Sequence, residues 1–504
     1  MKKQRITVCL LCAFMLLPLY TSCTSDQTED NKQTADTVID TVEETETEPE
    51  IDPFDPGLPA RDFGGEDFIF ATRDTETDYN WDIDDVEVDG LNGDSLNDAI
   101  YKRTVYIEDT YNVNIASLPC GNTGIDGAAK IITDAIMSND SSSFQAILDA
   151  IYETAEFALK DFLVDLNTIE HLDLSKPWWD QNAKNELSFG GKLFFTTGEL
   201  TVLDNEAVSI LLFDKSLVDQ YNLDSPYEDV LNGKWTMDKM LQNCEAVTSD
   251  LNGDGKMNED DRFGYIYWQD AWIVFVHSMG NSIGELGEDG LPRQTMQTER
   301  LIDSWMLMNT LQNNGTALAR KTDLDLFKSD QGKSTMYMME RNNVLYVYET
   351  VSGILFSRDL ETDFGVIPYP KFDENQQNYH CSVSSWGCAA LSVPVTNPDT
   401  EKTGFLLEAY CAKSAELLTP AYYDVSLTRK GVRDEDSVQM LEIIFDNMKY
   451  DIGYIYNWGD ISTTMMNLFN AKKDTIASTV EGNIARVEKA IQTHIGLMQR
   501  EVQE

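Results

Sequence analysis

The sequence predicts an α/β protein built from more than one lobe, on three observations. Between Phe68 and Leu148 short apolar runs alternate with helical patterns in the order strand, helix, strand, helix, strand, which builds a parallel sheet. The length of 504 residues, at about 100–200 residues per domain, leaves room for roughly two to four lobes. Residues 364–394 hold two strand-like runs, 364–369 and 388–393, joined by a polar passage carrying His380 and Trp386. A strand, a polar bridge and a further strand make the pattern of a crossing between two sub-domains, and a ligand is expected beside it.

The N-terminus carries an export signal. Lys2, Lys3 and Arg5 precede an apolar run from Val8 to Leu19, followed by Thr21, Ser22 and Cys23. Residues 1–22 therefore read as a signal peptide. Its apolar run of about 12 residues is too short to span a bilayer, which takes about 20. The Tyr-Thr-Ser-Cys ending resembles a bacterial lipobox, which implies a lipid, palmitate-bearing modification on Cys23. Residues 23–57 then form an acidic, disordered tether: from Cys23 to Pro56 there are 12 acids and one Lys. The expected location is the outer face of the bacterial cytoplasmic membrane, lipid-anchored and extracellular, with the membrane touched through the anchor only.

Charge and cysteine content narrow the function classes. With 87 acids against 38 basic residues the net charge is −49. Such a field repels phosphate backbones and argues against a nucleic-acid partner; solubility is its plain consequence. Beyond Cys23 five cysteines remain, Cys120, Cys244, Cys381, Cys388 and Cys411. An odd number cannot all pair within one chain, so buried free thiols are expected. Among these five no C-x-x-C or Cys/His cluster has zinc spacing.

Taken in order, 68–71 reads as a buried strand. Asp94 caps a helix whose Leu96, Ile100, Ile107 and Tyr111 follow helical spacing. Val113 and Ile115 mark a second strand, Ala128–Met137 a helix and 144–148 a third strand. Ligands of such sheets collect beyond the carboxyl ends of the strands. Those ends are followed here by 72–81, with Asp74 and Trp81, and by Tyr152 and Glu153. Further strands are expected at 193–197 and 208–213, and helices at Met237–Val247, 302–311, 404–413, 437–448 and 478–498.

The stretches GDSLNDAIYKRTVYIEDTYNVNI, WWDQNAKNELSFGGKLFFTTGEL, ILLFDKSLVDQYNL, GKWTMDKML, DFGVIPYPK and DIGYIYNWG, in that order, resemble the extracellular solute-binding lipoproteins of carbohydrate-type ABC transporters. The resemblance spans nearly all of the chain from Gly64 onward. It implies a two-lobed periplasmic-binding-protein-like fold (type II) with three interlobe crossings, near 197–205, 379–387 and 430–437, and a cleft between the lobes. It divides the mature chain into a first lobe (58–200), a second lobe (201–378), a return to the first (379–435) and C-terminal helices on the second (436–504). The activity implied is that of a monomeric receptor. It would capture a sugar or oligosaccharide by lobe closure and deliver it to a membrane permease, without catalysis and without a redox or organic cofactor. The alternatives are a cell-surface glycan-binding lipoprotein with no import role and a secreted glycoside hydrolase. For the latter, His171, His277, His380 and His494 lie in no recognisable catalytic neighbourhood, and no P-loop, G-x-G-x-x-G after a strand, or H-E-x-x-H occurs.

A sugar presents flat C–H faces ringed by hydroxyls, so its cleft needs stacking rings with carboxylates and amides around them. Trp268, Trp272, Trp386 and Trp458 are the candidate rings, although tryptophan is equally at home in a core. Trp178, Trp179 and Trp235 adjoin strand and helix starts and suit packing. Glu199 in the first crossing, Glu153 after a strand end and Asp74 are the candidate acceptors for hydroxyls. The sharpest local motif is separate from these. Asp250, Asn252, Asp254, Lys256 (through its carbonyl), Asn258 and Asp261 fit the calcium-loop pattern, with Gly255 at the turn. Asp261 stands where the longer Glu is usual, and 262–268 reads as a strand rather than an exit helix. A lone structural Ca2+ loop is expected, against the plainer reading of a polar surface turn.

Overall fold

Two five-stranded sheets organise the described residues, which are 52–73, 86–121, 127–323, 333–357, 360–423, 427 and 431–498 of the computed structural model. The leader, Cys23, the tether up to residue 51, Asp74 and Trp81 lie outside the described residues. In chain order the strands are β1 (Glu66–Thr72), β2 (Val113–Pro119), β3 (Ala146–Ala150), β4 (Phe195–Thr196), β5 (Ser209–Asp214), β6 (Phe263–Tyr267) and β7 (Gly284–Leu286). They continue with β8 (Pro292–Gln294), β9 (Ala317–Ala319), β10 (Val344–Thr350), β11 (Phe364–Ile367), β12 (Cys381–Ser382), β13 (Ala389–Ser392) and β14 (Met448–Lys449).

The first sheet has the order β2-β1-β3-β13-β4 and the second β11-β5-β10-β6-β9. In the first, β1 is parallel to β2 and β3, while β13 runs antiparallel to β3 and β4. A strand from late in the chain thus completes a sheet begun at its start. In the second, β5 is antiparallel to β10 and β11, and β6 is parallel to β10 and β9. This is the two-lobed, type II periplasmic-binding-protein-like α/β architecture, with the chain leaving the first lobe after β4 and re-entering it with β13.

Local chemistry accounts for much of this. The Asp94 carboxylate accepts from the Leu96 and Asn97 amides at 3.0 and 3.3 Å, opening the helix Ser95–Tyr111. That helix buries Ile100, Ile107 and Tyr111 and packs against Thr400–Pro420 in the first lobe. The next long helix, Glu435–Asp446, packs on β11 in the second lobe. β4 is shorter than the expected 193–197. The Leu193 amide is drawn to the Asp165 side chain and the Thr197 carbonyl to the Asp180 amide, so neither end joins the ladder. Trp178, Trp179 and Trp235 are buried, and all five cysteines among the described residues are buried and free. No helix among the described residues is long and apolar enough to cross a membrane.

The passages between the lobes lie side by side. Val208, at the end of the first, bridges Val383 in the second, and β12 pairs in parallel with β14. The second passage is pinned to the first lobe by its own backbone. The carbonyls of Ser385 and Cys388 accept from the amides of Tyr152 and Ile151, at the start of the helix Ile151–Leu159. Those of Trp386 and Gly387 accept from Arg73 Nη1 and Nη2 at 2.6 and 3.0 Å. Arg73 follows β1 and is wholly buried. Asp149, buried in β3, has its carboxyl driven well above the usual range, first by burial and next by Glu153, with Arg73 opposing.

This arrangement makes Arg73 a structural cation whose loss costs more than its contacts. Arg73→Met removes two charge-assisted hydrogen bonds and leaves the Asp149–Glu153 pair without its cation, at a cost of about 3 kcal/mol or more in urea unfolding. Asp149 then holds a proton more tightly in the folded than in the unfolded chain. The penalty therefore grows as the pH rises above the ordinary carboxylate range. Asp149→Asn in the Arg73→Met background recovers part of the loss; strict additivity of the two changes would show that the residues do not interact.

Candidate functional site

A cavity of about 250 Å³ opens where the second passage meets both lobes. The helix Ile151–Leu159 contributes Tyr152 and Glu156, the second passage Ser385 and Trp386, and the second lobe Asp270 and Trp272. The segment after β14 supplies Tyr454, Tyr456 and Asn457. Trp386 is 37% exposed, and the Arg73 guanidinium carbon stands 5.7 Å from its ring centroid. Trp272 forms a wall, edge-on to Tyr454 with centroids 6.0 Å apart. Asp270 is half-buried, and burial raises its carboxyl to about 6 while the Trp268 side chain, hydrogen-bonded to it, and the charge of Lys321 work the other way. Although Asp270 precedes the helix Ala271–Ser278, its side chain caps no amide there.

The structure sorts the residues singled out in the sequence. Trp272 and Trp386 line the cavity. Trp268 is not among its lining residues; it reaches the site through Asp270, with Arg320 and Lys321 each 5.9 Å from its ring. Trp458 is placed in the core. It has no exposed surface, and a Cβ on Gly284 would come within 2.2 Å of its ring. Glu199 accepts from the Thr419 hydroxyl, a contact within the first lobe. Glu153 is buried one residue from the cavity wall, accepting from the Tyr152 hydroxyl at 3.0 Å.

Asp270, Tyr152, Glu156, Tyr454, Tyr456 and Asn457 were not among the candidates, and some signals for them exist. Asp270 lies between two candidate tryptophans, and Tyr152 directly follows a strand end. In DIGYIYNWG the choice of Trp458 over its neighbours was undone by one short helix. Asp451 caps Ile452–Ile455 by accepting from Gly453 and Tyr454 amides at 2.8 and 3.1 Å. That turn carries Tyr454, Tyr456 and Asn457 to the cavity and sends Trp458 inward.

One arrangement invites a catalytic reading. His277 contacts Ser382 Oγ through Nδ1 at 2.9 Å and Asp451 through Nε2 at 3.1 Å. All three are at most 1% exposed, so no substrate reaches the hydroxyl. Burial works against ionisation of Asp451, yet His277 and the Ile283 amide hold its carboxyl below the usual range. It also accepts from the Gly284 amide at 3.0 Å, so it ties β7, the Ala271–Ser278 helix and the segment after β14 together. This is a structural fastening.

The loop at 250–261 keeps its expected setting. The helix Met237–Val247 precedes it, Ser249 bridges Arg262 across its base, and β6 follows. Asp250 accepts from Gly253 and Gly255 amides at 2.6 and 2.8 Å. Asn252, Asp254 and Asn258 each accept from the amide two residues on. Asp261 is fully buried and holds the Leu251 and Asn258 amides at 2.9 and 3.0 Å. Gly255 has φ of +77°, a conformation other residues resist. Among the described residues no three of His, Cys, Asp or Glu form a metal-binding group. The loop's donors are hard oxygens from carboxylates and amides, the set that suits Ca2+. A larger concavity of about 650 Å³ on the second lobe is lined by acids including Asp224, Glu228, Asp238 and Asp373. No aromatic ring is among its lining residues, so it offers a sugar no stacking face.

No protein-family model matches the chain. Nor does a curated protein match it significantly. Solved structures do match it. An ABC substrate-binding protein from Listeria monocytogenes, in complex with cycloalternan, aligns over 85% of this chain and 99% of its own with a TM-score of 0.53 and 12% identity. Maltose-bound MalE3 of T. maritima aligns over 85% and 99%, with a TM-score of 0.51 and 11% identity. A cyclo/maltodextrin-binding protein complexed with maltotetraose aligns over 87% and 97%, with a TM-score of 0.53 and 12% identity. At these identities the likeness is one of fold, and it is the fold of two-lobed periplasmic binding proteins.

Proposed function

We propose that the protein is an extracellular receptor for a sugar or oligosaccharide, captured by closure of the two lobes and passed to the permease of an ABC importer. The observation that carries this reading is the cavity beside the second passage. It draws rings from both lobes and from the passage itself, with Asp270, Glu156 and Asn457 around them. Stacking rings with a few hydroxyl acceptors are what a sugar requires. The neighbours in fold named above were solved with cycloalternan, maltose and maltotetraose, which supports the same class of ligand. Catalysis is not part of the proposal. In the same reading Cys23 is lipidated, the acidic tether holds the receptor away from the outer face of the membrane, and the receptor works as a monomer. The loop at 250–261 takes a structural Ca2+ through Asp250, Asn252, Asp254, Asn258, Asp261 and the Lys256 carbonyl.

A thermal-shift screen of mono- and oligosaccharides tests the ligand class, since a ligand in excess of its Kd raises the melting temperature. Stabilisation by at least one saccharide is expected; silence across a broad panel with a response to peptides would overturn it. Trp386→Ala should weaken binding of the responding saccharide about tenfold. It should change unliganded stability by less than about 1 kcal/mol, because the ring is partly exposed. A variant that mainly unfolds would place Trp386 among the core residues instead. For the loop, about 1 mM calcium acting on a site of Kd about 10⁻⁴ M contributes about 1.4 kcal/mol. Chelation should remove that increment from the wild type and leave Asp250→Asn unaffected. An unchanged melting temperature on chelation would reduce the loop to a surface turn.

A further inference from the structure

The cavity has a charge pattern as well as a shape. Among its described lining residues the charged side chains are Glu156 and Asp270, with no Lys, Arg or His beside them. Among the described residues the nearby cations already have partners. Arg73 is wholly buried behind Trp386, donates to two backbone carbonyls and neighbours Asp149 and Glu153. Lys160 is exposed and pairs with Glu156 at 3.5 Å. Lys321 donates to the Gln269 side chain at 3.3 Å, and Arg320 pairs with Glu349 at 3.3 Å. Residues 74–85, which follow Arg73 in the sequence, contain six acids and no Lys or Arg.

The rest of the lining reinforces this sign. Tyr152, Trp272, Trp386, Tyr454 and Tyr456 bring π faces, which carry negative potential and attract cations. Asp270 spends no acceptor on the helix it precedes. A ligand carboxylate entering here would lose water, meet no Lys, Arg or His among the described lining residues and face a carboxylate in a partly dehydrated site, where repulsion exceeds its value in bulk water. An ammonium group would meet a carboxylate and aromatic faces.

We propose that the cleft admits neutral and amino-bearing saccharides and rejects those carrying a carboxylate, and that Asp270 is the specificity-determining residue. The inference rests on the saccharide reading of the site. It is tested by calorimetry on the full mature chain, with each neutral saccharide set against its hexosamine and hexuronic-acid counterparts. The uronic member of a bound set should bind about tenfold more weakly, or worse, than the neutral one. Asp270→Asn keeps an oxygen acceptor for the Trp268 side chain. It should narrow that gap by about tenfold and remove any advantage of the amino-bearing member. Asp134→Asn makes the same change of net charge on an exposed outer helix and should leave the ratios as they are. A uronic member that binds as well as the neutral one in the wild type overturns the proposal while the saccharide reading stands. So does a ratio that Asp270→Asn leaves unmoved. If no member of any set binds, the saccharide reading falls and takes this proposal with it.

Discussion

Four consecutive carbonyls, those of Ser385 to Cys388, are held by the first lobe. Two accept from the start of a helix and two from a buried guanidinium. A crossing between lobes has no ladder of its own to satisfy its backbone, and a buried unpaired carbonyl is costly. Here the partners sit at the carboxyl ends of β1 and β3. The sheet therefore sets where the passage runs, and the passage sets where Trp386 stands.

The same clamp explains why so much charge lies under the cleft. A buried Arg73 needs counter-charge, and Asp149 and Glu153 supply it. Burial, and next the charge of Glu153, leave Asp149 strongly disposed to hold a proton. The Asp451–His277–Ser382 chain does comparable work on the other side, tying the second passage and the segment after β14 to the second lobe. Between these fastenings the cavity wall is left to rings and polar side chains, among them Asp270, whose carboxylate caps no helix amide. The floor of the cavity is fastened on both sides, and its rim is polar and aromatic.

Legibility in the sequence followed the range of each interaction. The helix opened by Asp94, the buried strand at 68–71 and the strand after the calcium-type loop were readable because capping, periodicity and burial act within a few residues. Trp386 was readable because a polar passage between two apolar runs has little else to do with a large ring. Trp458 was misjudged because a single cap at Asp451 decides which way the following residues turn. Glu199 was well placed along the chain, but Thr419, more than two hundred residues away in sequence, accounts for its carboxylate. Asp270 was passed over between two tryptophans, since nothing local says that its side chain declines to cap the next helix.

What the sequence by itself determined was the order and type of the main elements and the acidic, cysteine-poor composition of the chain. Each depends on composition or on spacing within one element. Only the tertiary structure decided which rings face the cavity, that Arg73 anchors residues more than three hundred positions away, and that the described lining residues include two carboxylates and no Lys, Arg or His. Those facts arise from strands brought together late, β13 against β3 and β12 against β14, and no local pattern encodes which distant backbone will need a donor.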